Sequence, residues 1–117
     1  MREMLDAALA RLPGALGLAV VGPDGISVES ATANAGVNMD WAAAEGMDLV
    51  RRASQSPAAS PAEPPEEITI AGKSRLTILR SLGAGYFLCL VAGPGTLSGR
   101  ARYEAWRTGQ QLREVIG

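Results

Sequence analysis

Apolar and polar positions alternate along this chain with periods that change segment by segment. From Arg2 to Leu12, the apolar residues Leu5, Ala8, Leu9 and Leu12 fall on one helical face. Pro13-Gly14 then stops the helix. Ala15 to Val21 is apolar at every position. A short continuous apolar run suits a strand covered on both faces. Gly22-Pro23-Asp24-Gly25 reads as a turn, because proline presets φ and Asp-Gly tolerates positive φ. Ile26 to Ser30 alternates, with Ile26 and Val28 set against Ser27 and Glu29, as an outer strand would.

A second helix is expected from about Met39 to Ser54, capped by Asn38 or Asp40. One of its faces is small and apolar: Ala43, Gly46, Met47, Val50 and Ala53. Trp41, Glu45, Asp48 and Arg52 lie elsewhere on it. Residues 55–65 contain four prolines, which forbid helix and disfavour strand pairing. They read as a mobile surface loop within one domain spanning residues 1–117. Glu67 to Ala71 and Arg75 to Leu82 form a hairpin across Gly72-Lys73-Ser74. Tyr86 to Ala92 is a second fully apolar strand, broken by Gly93-Pro94-Gly95. Thr96 or Ser98 caps a last helix running to about Ile116, with Leu97, Ala101, Ala105, Leu112 and Val115 at helical spacing. Tyr103 and Trp106 on it are expected to cover the sheet.

The order is helix, two strands, helix, three strands, helix. The fully apolar strands belong in the centre of an α/β sheet with helices on both faces. An open five-stranded sheet has two edges, which must be blocked or used.

Composition narrows the chemistry. The 117 residues carry a formal net charge of −1, so no long-range attraction points to nucleic acid or an anionic membrane. No apolar run reaches membrane-spanning length, and Met1 to Leu12 lacks an apolar signal core. The single cysteine, Cys89, cannot form an internal disulfide, which suits a reducing, cytoplasmic setting. Histidine is absent, which removes the commonest general base and metal ligand. Carboxylates are scattered without metal-ligand spacing, so neither a metal nor another cofactor is expected.

The remaining candidates for chemistry are weak. Gly93 to Arg100 sits where phosphate loops live, but the third glycine of a dinucleotide fingerprint would fall at Ser98, and no Gly-Lys-Ser/Thr follows. Strand exit and helix cap is the simpler reading. Cys89 has apolar neighbours and nothing to make it a thiolate. Glu66-Glu67 reads as edge charge, adjacent strand positions pointing to opposite faces. Arg51-Arg52 suits a helix C-terminus, with a GTPase-directed arginine as the sharper alternative. Trp41 either anchors the core or marks a contact surface. The chain is not expected to be an enzyme.

Three segments in order resemble the roadblock / dynein light chain family. They are Leu12-Pro13-Gly14, then Gly17 to Gly22 followed by Pro23-Asp24-Gly25, then Tyr86 to Val91 before the glycine break. The resemblance covers nearly the whole chain; the proline-rich loop departs from it. It implies a roadblock-like, profilin-like three-layer sandwich. The five-stranded antiparallel sheet would run in the order 2-1-5-4-3, with two helices on one face and one on the other. It also implies a homodimer in which third strands pair and second helices pack together, with Ala43, Gly46, Met47, Val50, Ile68, Thr69 and Ile70 at the interface. Family members, bacterial ones included, regulate or scaffold small Ras-like GTPases. The resemblance therefore implies a GTPase-activating or nucleotide-state-sensing partner surface at Trp41, Glu45, Asp48, Leu49 and Arg52. A nucleotide-independent dimerisation scaffold and a small-ligand sensor are the alternatives.

Overall fold

The computed structural model describes residues 1–33, 36–56 and 64–116. Its elements are α1 (Arg2–Arg11), β1 (Ala15–Val21), β2 (Ser27–Thr32), α2 (Met39–Ser54), β3 (Glu67–Ala71), β4 (Leu76–Gly83), β5 (Tyr86–Ala92) and α3 (Ser98–Ile116). The strands form one sheet in the order β2-β1-β5-β4-β3, and every neighbouring pair is antiparallel. Most of the proline-rich loop at 55–65 lies outside the described residues.

The continuous apolar runs explain the centre of this order. Successive strand side chains point to opposite faces. Leu18 and Val20 of β1 join Leu88 and Leu90 of β5 in a core beneath α1 and α3. Ala19 and Val21 join Phe87, Cys89 and Val91 in a second core beneath α2. Strands that are buried on both faces have to be apolar at every position.

Local chemistry sets the element ends. The Trp41 amide donates to Asn38 Oδ1 at 3.1 Å, so Asn38 caps α2. Gly83, Ala84 and Gly85 all have positive φ in the tight turn from β4 to β5. Two of the three being glycine limits the cost of that left-handed backbone.

The outer positions depart from the pattern. β2 begins at Ser27, and both Ile26 and Val28 are exposed. The register slips between Val20 and Val21, where Val20 pairs with Glu29 and Val21 with Ser27. That bulge takes Val28 out of the ladder at a sheet edge. The buried apolar residue of β2 is instead Ala31. On α3 the buried stripe is Ala101, Glu104, Ala105, Thr108, Gly109 and Leu112. Leu97 and Val115, at its ends, are exposed, and Tyr103 and Trp106 face away from the sheet. Small residues let α3 lie close to β4, which leaves no room for large rings beneath it. No helix among the described residues is long and apolar enough to cross a membrane.

Candidate functional site

The two faces of the sheet are not equally covered. α1 packs over β1 and β2, and α3 over β4 and β5, so one face is roofed from side to side. On the other face α2 lies mainly over β1, β2 and β5. It reaches β4 through Gly46, where an added Cβ would come within 2.6 Å of Leu79 Cδ2. That close approach requires glycine. Beyond it, no helix among the described residues covers β4 and β3 on this face.

A cavity of about 320 Å³ occupies this unroofed corner. Thr77 and Val91 line the sheet side, Glu45 and Leu49 the α2 side, Ile70 the edge strand, and Arg75 the turn between β3 and β4. Ile70 is 40% exposed and Leu49 39% exposed, so an apolar strip is open to water. β3 ends the sheet order and has no strand on its outer side among the described residues. An uncovered strand edge beside exposed apolar side chains is a template for association.

The other face of β3 is tied down. Glu67 Oε2 accepts from Arg102 Nε at 2.7 Å and from Thr69 Oγ1 at 3.0 Å. Arg80 lies 3.8 Å from Glu67 and 3.9 Å from Glu66. Arg113 reaches Glu66 at 3.5 Å and donates to the Ser81 carbonyl at 3.0 Å. The two glutamates therefore share one arginine instead of pointing to opposite faces. Glu66 precedes the strand, so strand alternation does not govern it. Each exposed pair contributes little alone, but together they fix the edge strand to β4 and α3.

The residues expected at a partner surface fall into two groups. Trp41 is 72% exposed, so it marks a surface and not the core. Glu45, Leu49 and Arg52 are also exposed, and Asp48 is half-buried. Spacings of three and four place them along the outward side of α2. Asp48 holds Arg52 at 3.1 Å and Arg51 at 3.8 Å, so both arginines are engaged on their own helix.

The residues expected at the dimer interface divide differently. Ala43, Gly46, Met47 and Val50 are buried on the protomer's own sheet. Gly46 gives α2 its close approach to β4, and Ala43, Met47 and Val50 fill the protomer's own core. Ile68 is half-buried against the same core, Thr69 faces the Glu67 network, and Ile70 alone of the three is exposed. Ala42, Thr77, Arg75 and Val91 also border the cavity and were not singled out from sequence. The signal was faint: Thr77 is the one polar residue between Leu76 and Leu79.

The weaker candidates resolve as structural features. The Gly93 amide donates to the Gly14 carbonyl at 2.9 Å, closing the end of β5 onto the α1–β1 turn. Cys89 is fully buried, 3.9 Å from the Ala42 carbonyl, and burial pushes its thiol pKa up to about 12. A thiol that does not ionise is a poor nucleophile. Cys89 should resist a thiol-reactive disulfide reagent in the native protein and react at once in denaturant. Fast native labelling at pH 8 would contradict this placement. Among the described residues, no group of three or more His, Cys, Asp or Glu side chains is placed to hold a metal.

No protein-family model and no curated protein sequence matches this chain. Solved structures do. The roadblock/LC7 domain from Streptomyces avermitilis is 16% identical, with 99% of this chain and 97% of that one covered and a TM-score of 0.84. MglC from Myxococcus xanthus is 25% identical over 97% and 96% of the two chains, with a TM-score of 0.69. The gliding protein MglB from Thermus thermophilus is 18% identical over 97% and 85%, with a TM-score of 0.83. Strand order, helix placement and these near full-length superpositions agree: the chain has the fold of the roadblock/LC7 domain.

Proposed function

We propose that the protein is a homodimeric regulator or adaptor of a small Ras-like GTPase. The observation that carries the reading is the half-roofed face, with the free edge of β3 beside the open strip of Leu49 and Ile70. The fold likeness to roadblock/LC7, MglB and MglC proteins supports it. In this reading β3 pairs with β3 of a second copy, which continues the sheet. The second α2 then lies against the first, over the unroofed strands. Such a two-fold contact is self-complementary and would reach the ~1,200–2,000 Å² of a stable interface.

The dimer would present two copies of the outward α2 stripe side by side. Trp41 and Arg52 mark its ends, Asp48 lies between them paired with Arg52, and Glu45 borders the dimer contact. A large exposed aromatic residue flanked by charges is the composition of a binding hot spot. The mechanism would be a shift of population: the platform holds one conformation of the GTPase's switch segments, whether that promotes hydrolysis or senses the bound nucleotide.

Two measurements test the proposal. Sedimentation velocity at micromolar concentration should give a dimer. A purified small Ras-like GTPase from the same genome should then bind with different affinity in its GDP and GTP-analogue forms. Trp41→Ala should weaken the tighter complex at least tenfold and leave the dimer intact. Equal affinity for both nucleotide states would replace regulation by simple tethering. A monomer that binds neither form would end both readings.

A further inference from the structure

A second surface lies on the opposite side of the sheet, between the end of α1 and the start of α3. Two adjoining cavities, of about 440 and 180 Å³, share Leu12 and Arg100 in their walls. Together they make one trough. Pro13 and Leu97 line its smaller end. Arg11, Tyr103 and Arg107 line its larger end.

The trough is mostly positive, with three arginines against the one carboxylate of Glu104. The buried carboxylate of Glu104 accepts from Arg11 Nε at 2.5 Å, which fixes the Arg11 side chain. Arg11 Nη2 has no acceptor among the described residues. Among the described residues Arg100 donates only to the Arg11 carbonyl, at 3.2 Å, and pairs with no carboxylate. Arg107 makes no hydrogen bond or ion pair among the described residues. The chain as a whole has a net charge of −1, so this concentration of unpaired arginine is local.

Apolar surface accompanies the charge. Leu97 is 67% exposed, Tyr103 58% and Trp106 45%. The Tyr103 and Trp106 rings lie 6.1 Å apart and support one another beside the trough. Aromatic residues with arginine are the composition enriched at protein–protein contacts.

We propose that this trough docks an extended segment of a partner protein in which apolar residues alternate with aspartate or glutamate. An apolar side chain would enter each cavity, and carboxylates would meet Arg100 and Arg107. Carboxylate–guanidinium pairing can be bidentate and directional. The Glu104-fixed Arg11 supplies a wall ordered before binding, which lowers the entropic cost of association. A protein segment fits better than the other anionic partners. The trough is open and not enclosing, whereas small-molecule sites bury most of their ligand. Three arginines are too few for a nucleic-acid footprint of several phosphates, and they lie in a concavity that a flat bilayer cannot enter. The surface is separate from the α2 stripe, and the inference does not depend on the GTPase reading.

The test uses the full chain and three labelled 12-residue peptides: alternating Leu-Asp, the same with Asn for Asp, and the same with Gly for Leu. The Leu-Asp peptide should bind by fluorescence anisotropy, and each altered peptide at least tenfold more weakly. Backbone and arginine Nε resonances of Arg11, Arg100, Tyr103 and Arg107 should shift on titration. The double variant Arg100→Glu with Arg107→Glu should lose at least tenfold in affinity with an unchanged circular dichroism spectrum, since both side chains are exposed. Equal binding of the neutral peptide, shifts confined to α2, or no saturable binding at millimolar peptide would overturn the proposal. So would tighter binding to phosphatidylglycerol vesicles than to the peptide, which would make the patch a membrane contact.

Discussion

Replacing Phe87 with alanine should remove about 3–5 kcal/mol of stability, the range for deleting a fully buried aromatic ring. Phe87 is the only phenylalanine in the chain, is 1% exposed and sits on β5 in the core beneath α2. It pairs with Val21 of β1 and shares its cluster with Leu79 of β4 and Met47 and Val50 of α2. Backbone pairing on both sides holds β5 in place, so the sheet cannot collapse to fill the gap. Met47 of α2, in the same cluster, has a long flexible side chain that can follow the void only in part. Against a typical total of 5–15 kcal/mol, the loss is large. It should appear as a fall in melting temperature on the order of 10–20 °C. A drop of less than about 3 °C would mean that α2 repacks freely on the sheet. The outward stripe of α2 would then not be a rigid platform.

Ile70→Asp should convert the proposed dimer to monomers, raising its dissociation constant about a hundredfold or more, near 3 kcal/mol. The protomer itself should tolerate the change. Ile70 is already 40% exposed on an edge strand, and surface substitutions of that kind rarely cost much. The penalty falls on association. A carboxylate would have to leave water at the β3 edge, and the two-fold axis would bring a second one close to it. Inward-pointing charge is also a device by which natural edge strands refuse partners. Sedimentation velocity measures the effect, and circular dichroism checks that the fold survives. A dimer that persists unchanged would place self-association somewhere other than β3.

Much of the architecture was legible before any coordinates. Two runs that are apolar at every position, Ala15 to Val21 and Tyr86 to Ala92, have to be central strands. They pair with each other at the middle of the sheet. The helices could be bounded from Pro13-Gly14, Asn38 and the glycine break after Ala92. These are local signals, carried by steric limits on the backbone and by capping groups, and local signals survive without knowledge of the fold. The exposed stripe of α2 was likewise readable, because helical periodicity separates Trp41, Glu45, Asp48 and Arg52 from the small face.

Other assignments failed where two surfaces competed for one pattern. The small face of α2 suits packing on a sheet as well as packing on a second helix, and its sequence is the same in both cases. Only the approach of Gly46 to Leu79 decides that this face is used inside the protomer. Tyr103 and Trp106 show the converse. Large aromatic rings usually seek cover, but α3 lies on the sheet through Ala101, Ala105 and Gly109, which leaves the rings outside. The shared pairing of Glu66 and Glu67 with Arg80 joins residues that periodicity treats as unrelated.

Period and punctuation along the chain thus determined which segments are strands and helices and which strands lie at the centre. The tertiary structure decided which faces remain open: the unroofed strip at Leu49 and Ile70, and the arginine-lined trough beside Leu12. The reason is physical. Secondary structure follows from interactions between residues close in the chain, whereas exposure depends on how far a distant element reaches across the sheet.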